Sequence, residues 1–150
     1  MVNLIGRDIF EENYFITYLS FCALLLFACQ SQDKQMTMLD DISSISIFES
    51  DGYGGINENF VTTIDKDTII SRFEEAFKDA EGRKQKVDVD TEKPDYDILI
   101  RYENGETHGL HLVLGNTGEK SRVMYVGHEN NGFDISPEGT KGLRGVLNNH

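Results

Sequence analysis

Between Tyr14 and Ala28 the chain is almost unbroken in apolar character, and from Gln30 to Lys34 it turns polar at once. After that boundary the pattern changes from a single run to short periods. Ile42, Ile45, Ile47 and Phe48 predict a first strand, Asp51-Gly52-Tyr53-Gly54-Gly55 a turn, and Phe60 to Ile64 a second strand. Ile69, Ile70, Phe73, Ala76, Phe77 and Ala80 then recur at three and four, with Arg72, Glu74, Glu75, Lys78 and Asp79 between them. That spacing predicts an amphipathic helix, capped by Asp65 or Asp67 and stopped at Gly82.

Alternation returns over Asp97 to Glu103 and, beyond Asn104-Gly105, over His108 to Leu114, where Leu110, Leu112 and Leu114 share a face. Asn-Gly is a strong hairpin signal because both positions must accept positive φ. Gly115 to Gly118 predicts a turn into a strand over Arg122 to Val126, and Asn130-Asn131-Gly132 a further turn into Phe133-Asp134-Ile135. Ser136-Pro137-Glu138 has the chemistry of a helix start, but Gly139, Gly142 and Gly145 weaken that helix by about 1 kcal/mol each relative to alanine. The expected fold is α+β: an antiparallel sheet of about five to six strands, one long amphipathic helix across one face, and a short C-terminal helix.

The fifteen residues of the leading run are too few for a membrane-crossing helix, which needs about 20, and suit the apolar region of a secretory signal. Leu26-Phe27-Ala28-Cys29 resembles a bacterial lipobox, in which the cysteine thiol receives a lipid and the chain is cut just before it. The expected organisation is a signal peptide over 1–28, a lipidated Cys29 opening a flexible tether over 29–41, and one domain over 42–150. Several acyl chains of the palmitate kind on one cysteine would hold it durably to the membrane, since each buried methylene contributes about 0.8 kcal/mol. Phe27 is bulky for its place, and Asp8, Glu11 and Glu12 outnumber Arg7, so the working signal is expected to begin near Asn13. An uncleaved single-pass anchor and an apolar N-terminal helix are the alternatives.

The formal net charge is −12, and loss of Arg7, Asp8, Glu11 and Glu12 with the leader leaves 13 basic against 23 acidic residues, a net of −10. Nucleic acid is excluded as a partner on that balance, as is a flat bed on an anionic leaflet. Cys22 leaves with the leader and Cys29 takes lipid, so the folded part has no thiol for a disulfide, a zinc site or a nucleophile. No cofactor is expected.

Candidate chemistry is sparse. His108 and His111 are three apart, which on a strand sends the rings to opposite faces unless Gly109 forms a bulge. Asp88, Asp90, Asp95 and Asp97 are weak candidates for a calcium site, because Lys93 stands where the turn glycine belongs and Leu99 where the closing acid belongs. Gly52 to Gly55 lacks the ending of a phosphate loop, and Ser121, His128 and Asp134 make a triad only on paper. Tyr53, Tyr96, Tyr102 and Tyr125 read as sheet packing before they read as an aromatic binding surface.

The lipobox, Thr63-Ile64-Asp65 running to Thr68-Ile69, Pro94-Asp95-Tyr96-Asp97 ahead of a strand, and the Asn-Gly hairpin together resemble the YhfM type of small bacterial lipoproteins. That resemblance implies a domain anchored on the outer face of a Gram-positive cell membrane, in a family without a defined activity, and transfers no catalytic residue. The expected role is a noncatalytic binding or regulatory module, with an envelope protein or peptide as partner. A small cell-wall or peptide-processing enzyme and a structural accessory subunit of an envelope complex are the other classes.

Overall fold

Seven strands, each paired antiparallel to its neighbours, form one sheet in the computed structural model, which describes residues 36, 41–57 and 59–148. The strands are β1 (Ile42–Glu49), β2 (Phe60–Ile64), β3 (Glu81–Lys84), β4 (Tyr96–Tyr102), β5 (Thr107–Val113), β6 (Ser121–Tyr125) and β7 (Asn131–Ile135). Their order across the sheet is β2-β1-β4-β5-β6-β7-β3. Helix α1 (Asp67–Lys78) follows β2, and helix α2 (Pro137–Leu147) closes the chain.

The expected architecture is therefore corrected. There are seven strands rather than five or six, and two helices of 12 and 11 residues rather than one long helix with a short companion. The extra strand is β3, where Gly82 pairs with Phe133 instead of stopping a helix. Glu81-Gly82-Arg83-Lys84 carries no apolar alternation, so it is a strand because the open edge of β7 supplies backbone partners. Asn131 and Gly132 likewise belong to β7, and the connection before them occupies 126–130.

Helix α1 starts without the expected aspartate cap: Lys66 is its N-cap and makes no side-chain cap bond. Helix α2 starts as its sequence predicts, with the Ser136 hydroxyl accepting from the Gly139 amide at 3.1 Å and Pro137 in the first turn. The β4–β5 loop uses only one positive φ, at Gly105 (86°), with Tyr102 N–H bonding Glu106 carbonyl. It is thus a three-residue hairpin rather than the two-residue turn expected from Asn104-Gly105.

Both helices pack on one face. Ile45, Ile47, Ile98, Ile100, Leu110, Leu112, Val123 and Ile135 are buried there beneath Ile70, Phe73, Phe77, Leu143 and Val146. Gly139 is where the helices touch closely: a Cβ on it would lie 2.6 Å from Ile135 Cγ2 and 3.0 Å from the Ala76 carbonyl oxygen. Met36, inside the segment expected as tether, is buried with this core. The rest of that segment up to residue 40, the apolar run and Cys29 lie outside the described residues.

The two sheet edges differ. β3 is Glu-Gly-Arg-Lys and fully exposed, a charged margin that discourages pairing. β2 is Phe-Val-Thr-Thr-Ile, paired on one side only among the described residues, with Phe60 59% and Val61 43% exposed. Phe60 is steadied by an edge-to-face contact with Phe48 at 5.8 Å.

Candidate functional site

The face away from the helices carries the polar interior. Asp97 on β4 lies directly opposite His111 on β5, both fully buried, and the His111 Nδ1 to Asp97 Oδ1 distance is 2.8 Å. The other Asp97 oxygen accepts from the Asn57 amide at 3.0 Å. Asp97 thereby ties the segment between β1 and β2 down over this face. Tyr53 of that segment stands edge-on to the imidazole, ring centroids 5.2 Å apart. Ile56 fits because position 109 is glycine: a Cβ there would sit 3.0 Å from Ile56 Cδ1.

His111 Nε2 is buried with no hydrogen-bond partner and faces Glu129 Oε1 at 3.6 Å. Burial, reinforced by the charge of Glu92 and opposed by Arg122, pushes the Tyr53 hydroxyl above its usual titration range. Arg122 and Arg83 both engage Asp134, at 3.0 and 3.5 Å. The imidazole is enclosed and its Nδ1 committed, so this arrangement fastens a loop to a sheet.

The alternation argument for the histidines holds, with no bulge at Gly109. His108 lies on the helix side, where Tyr102 Oη and His108 Nδ1 are 3.1 Å apart and Tyr125 approaches its ring edge-on at 5.6 Å. His111 lies on the other side. The four aspartates are dispersed: Asp88 caps its own turn by accepting from the Asp90 amide, Asp95 accepts from the Leu114 amide at 2.7 Å, and Asp97 is taken by His111 and Asn57. Among the described residues no group of three or more histidine, cysteine or acidic side chains is placed to hold a metal ion.

Ser121 and Asp134 fall on opposite faces, since Ser121 pairs with Ile135 and Arg122 with Asp134. The Ser121 hydroxyl is occupied by Thr140 at 2.9 Å and by the Gly115 amide at 3.0 Å. The four tyrosines form no common surface: Tyr53 covers His111, Tyr102 and Tyr125 flank His108, and Tyr96 reaches the end of the sheet.

At that end an open cleft of about 650 Å³ lies where β1 stops, β4 starts, β5 stops and α2 finishes. Pro94, Tyr96 and Leu114 supply its apolar wall, and Glu49, Lys93, Asp95 and Arg144 its charges. Arg144 is fixed by donating to the Gly115 carbonyl at 2.9 Å. That contact depends on glycine at 115, where a Cβ would meet the Lys120 carbonyl oxygen at 2.3 Å. Sequence reasoning did not single out Glu49 or Arg144, because nothing local marks residues from four distant segments as neighbours. A smaller hollow of about 310 Å³ between the helices is lined by Arg72, Glu75, Asp79 and Glu138.

No helix among the described residues is long and apolar enough to cross a membrane. The fold is similar to that of a thioesterase-like protein from Clostridium sporogenes, known at 1.70 Å, with a TM-score of 0.61 and 16% identity over 76% of this chain and all of that one. No curated protein matches the chain. Residues 41–150, which hold the whole sheet, both helices and the cleft, match the YhfM protein family, and the chain belongs to it.

Proposed function

We propose that this chain is a noncatalytic binding module, a lipoprotein held by Cys29 on the outer face of the membrane, that takes its ligand in the cleft at the end of the sheet. The observation that carries the reading is the cleft itself: its volume falls within the several hundred Å³ typical of ligand sites, and its lining is mostly polar, with four charged groups beside a small apolar wall. The buried imidazole lies beneath Tyr53 on the face away from the helices and is not part of the cleft's lining.

The anchor is tested by radiolabelled palmitate, which should enter the wild-type polypeptide and not Cys29→Ala. The binding reading is tested on the full-length chain in detergent by fragment soaking with the Tyr96 ring as NMR reporter. Fragments should shift Tyr96 and leave Tyr53 unmoved. The thioesterase-like neighbour brings one counter-test: turnover of a simple acyl thioester, abolished by a cleft substitution that leaves the fold intact, would replace binding by catalysis.

A second reading, an accessory subunit of an envelope complex, is favoured by β2, an uncharged edge strand with Phe60 and Val61 exposed. Extended segments add to such edges through main-chain hydrogen bonds. Crosslinking from position 61 in intact cells should then capture an envelope protein.

A further inference from the structure

We infer that the cleft is built for a zwitterion, a free amino acid or short peptide carrying both its ammonium and its carboxylate; this rests on the binding reading above. Two anions and two cations line it, and none pairs with another: the arginine–carboxylate ion pairs among the described residues join Arg83 and Arg122 to Asp134. Opposite charges in one cleft that do not neutralise each other leave both signs open to a guest.

Two of the four are held in place by backbone bonds that do not exhaust them. Asp95 spends one oxygen on the Leu114 amide, and Arg144 spends one of five N–H donors on the Gly115 carbonyl. Holding these groups before the ligand arrives lowers the ordering cost of binding. Helix α2 ends at the cleft, and the negative partial charge of its C-terminus suits an ammonium. Pro94, Tyr96 and Leu114 offer a wall for an apolar side chain.

The charge of the whole chain narrows the class further. At a net −12 for the whole chain, or −10 once residues 1–28 are removed, the long-range field opposes the approach of a simple anion, which Lys93 and Arg144 alone would otherwise suit. A simple cation would gain from that field over the whole surface and would meet two local positive charges here. A zwitterion has no net charge to be steered or repelled and can satisfy both sets at contact distance.

The test is equilibrium dialysis of the full-length chain in detergent against radiolabelled glycyl-leucine, its N-acetyl form and its C-terminal amide. The free dipeptide should bind, and each blocked form should bind at least about ten-fold more weakly, or about 1.4 kcal/mol. Lys93→Gln should weaken the dipeptide and the N-acetyl form while sparing the amide; Glu49→Gln should do the reverse. Both side chains are exposed, so the thermal midpoint checks that each variant still folds. Equal binding of all three probes, or dipeptide binding indifferent to both substitutions, overturns the zwitterion. In that outcome fragment shifts at Tyr96 would still uphold the binding reading, and their absence together with no dipeptide binding would remove both.

Discussion

The two faces of the sheet are covered by different materials, and their chemistry follows from the cover. Under α1 and α2 the sheet presents Ile45, Ile47, Ile98, Ile100, Leu110 and Leu112, all fully buried. A helix satisfies its own backbone, so the surface beneath it needs no polar groups. The opposite face is covered in part by residues 50–57, an irregular segment whose amides have no ladder to join. There the sheet presents Asp97 and His111, and Asp97 accepts from the Asn57 amide. A buried carboxylate stands where a loop has been substituted for a helix.

The largest effect should come from the helix side. Phe73→Ala removes a fully buried ring and should cost about 3–5 kcal/mol in a denaturant titration. On the loop side, Asp97→Ala strands both His111 Nδ1 and the Asn57 amide, at about 1–3 kcal/mol for each unsatisfied group. Exchanging Asp97 and His111 together for leucines should cost less than Asp97→Ala alone in the same titration, because both variants lose the Asn57 anchor but only the single one leaves an imidazole nitrogen stranded. Gly139→Ala drives a methyl into Ile135 and the Ala76 carbonyl and should cost about 1–3 kcal/mol, seen as a lowered thermal midpoint.

The smallest effect is alkaline. Burial raises the titration of the Tyr125 hydroxyl, so the folded state keeps its proton at a pH where the unfolded chain has lost it. Stability from this group is complete below about pH 10 and declines as pH rises through the folded value. Tyr125→Phe should flatten that decline in pH-dependent melts, with the part due to Tyr53 remaining.

Much of the frame was legible because local chemistry and burial agree. The three-and-four spacing of Ile70, Phe73 and Phe77 is the buried stripe of α1, and Ser136 caps α2 through the bond its position implies. β3 was illegible because both of its faces are exposed and only the edge of β7 makes it a strand. The Asp97–His111 pair was within reach. Reading Glu103-Asn104-Gly105 as a three-residue loop pairs Tyr102 with Glu106, and counting back five residues on each strand sets Asp97 opposite His111. The cleft was beyond reach, since its charges come from the ends of β1 and α2 and from the approach to β4, and no period or turn connects them.

The contrast between the two margins of the sheet has a practical outcome. Like charge on the acidic surface opposes the approach of a second copy to β2, which carries no charge of its own. Salt shortens the reach of that repulsion to about 8 Å at physiological strength and about 3 Å at 1 M. Concentrated brine therefore weakens that opposition while leaving β2, among the described residues, uncharged and unpaired on its outer side.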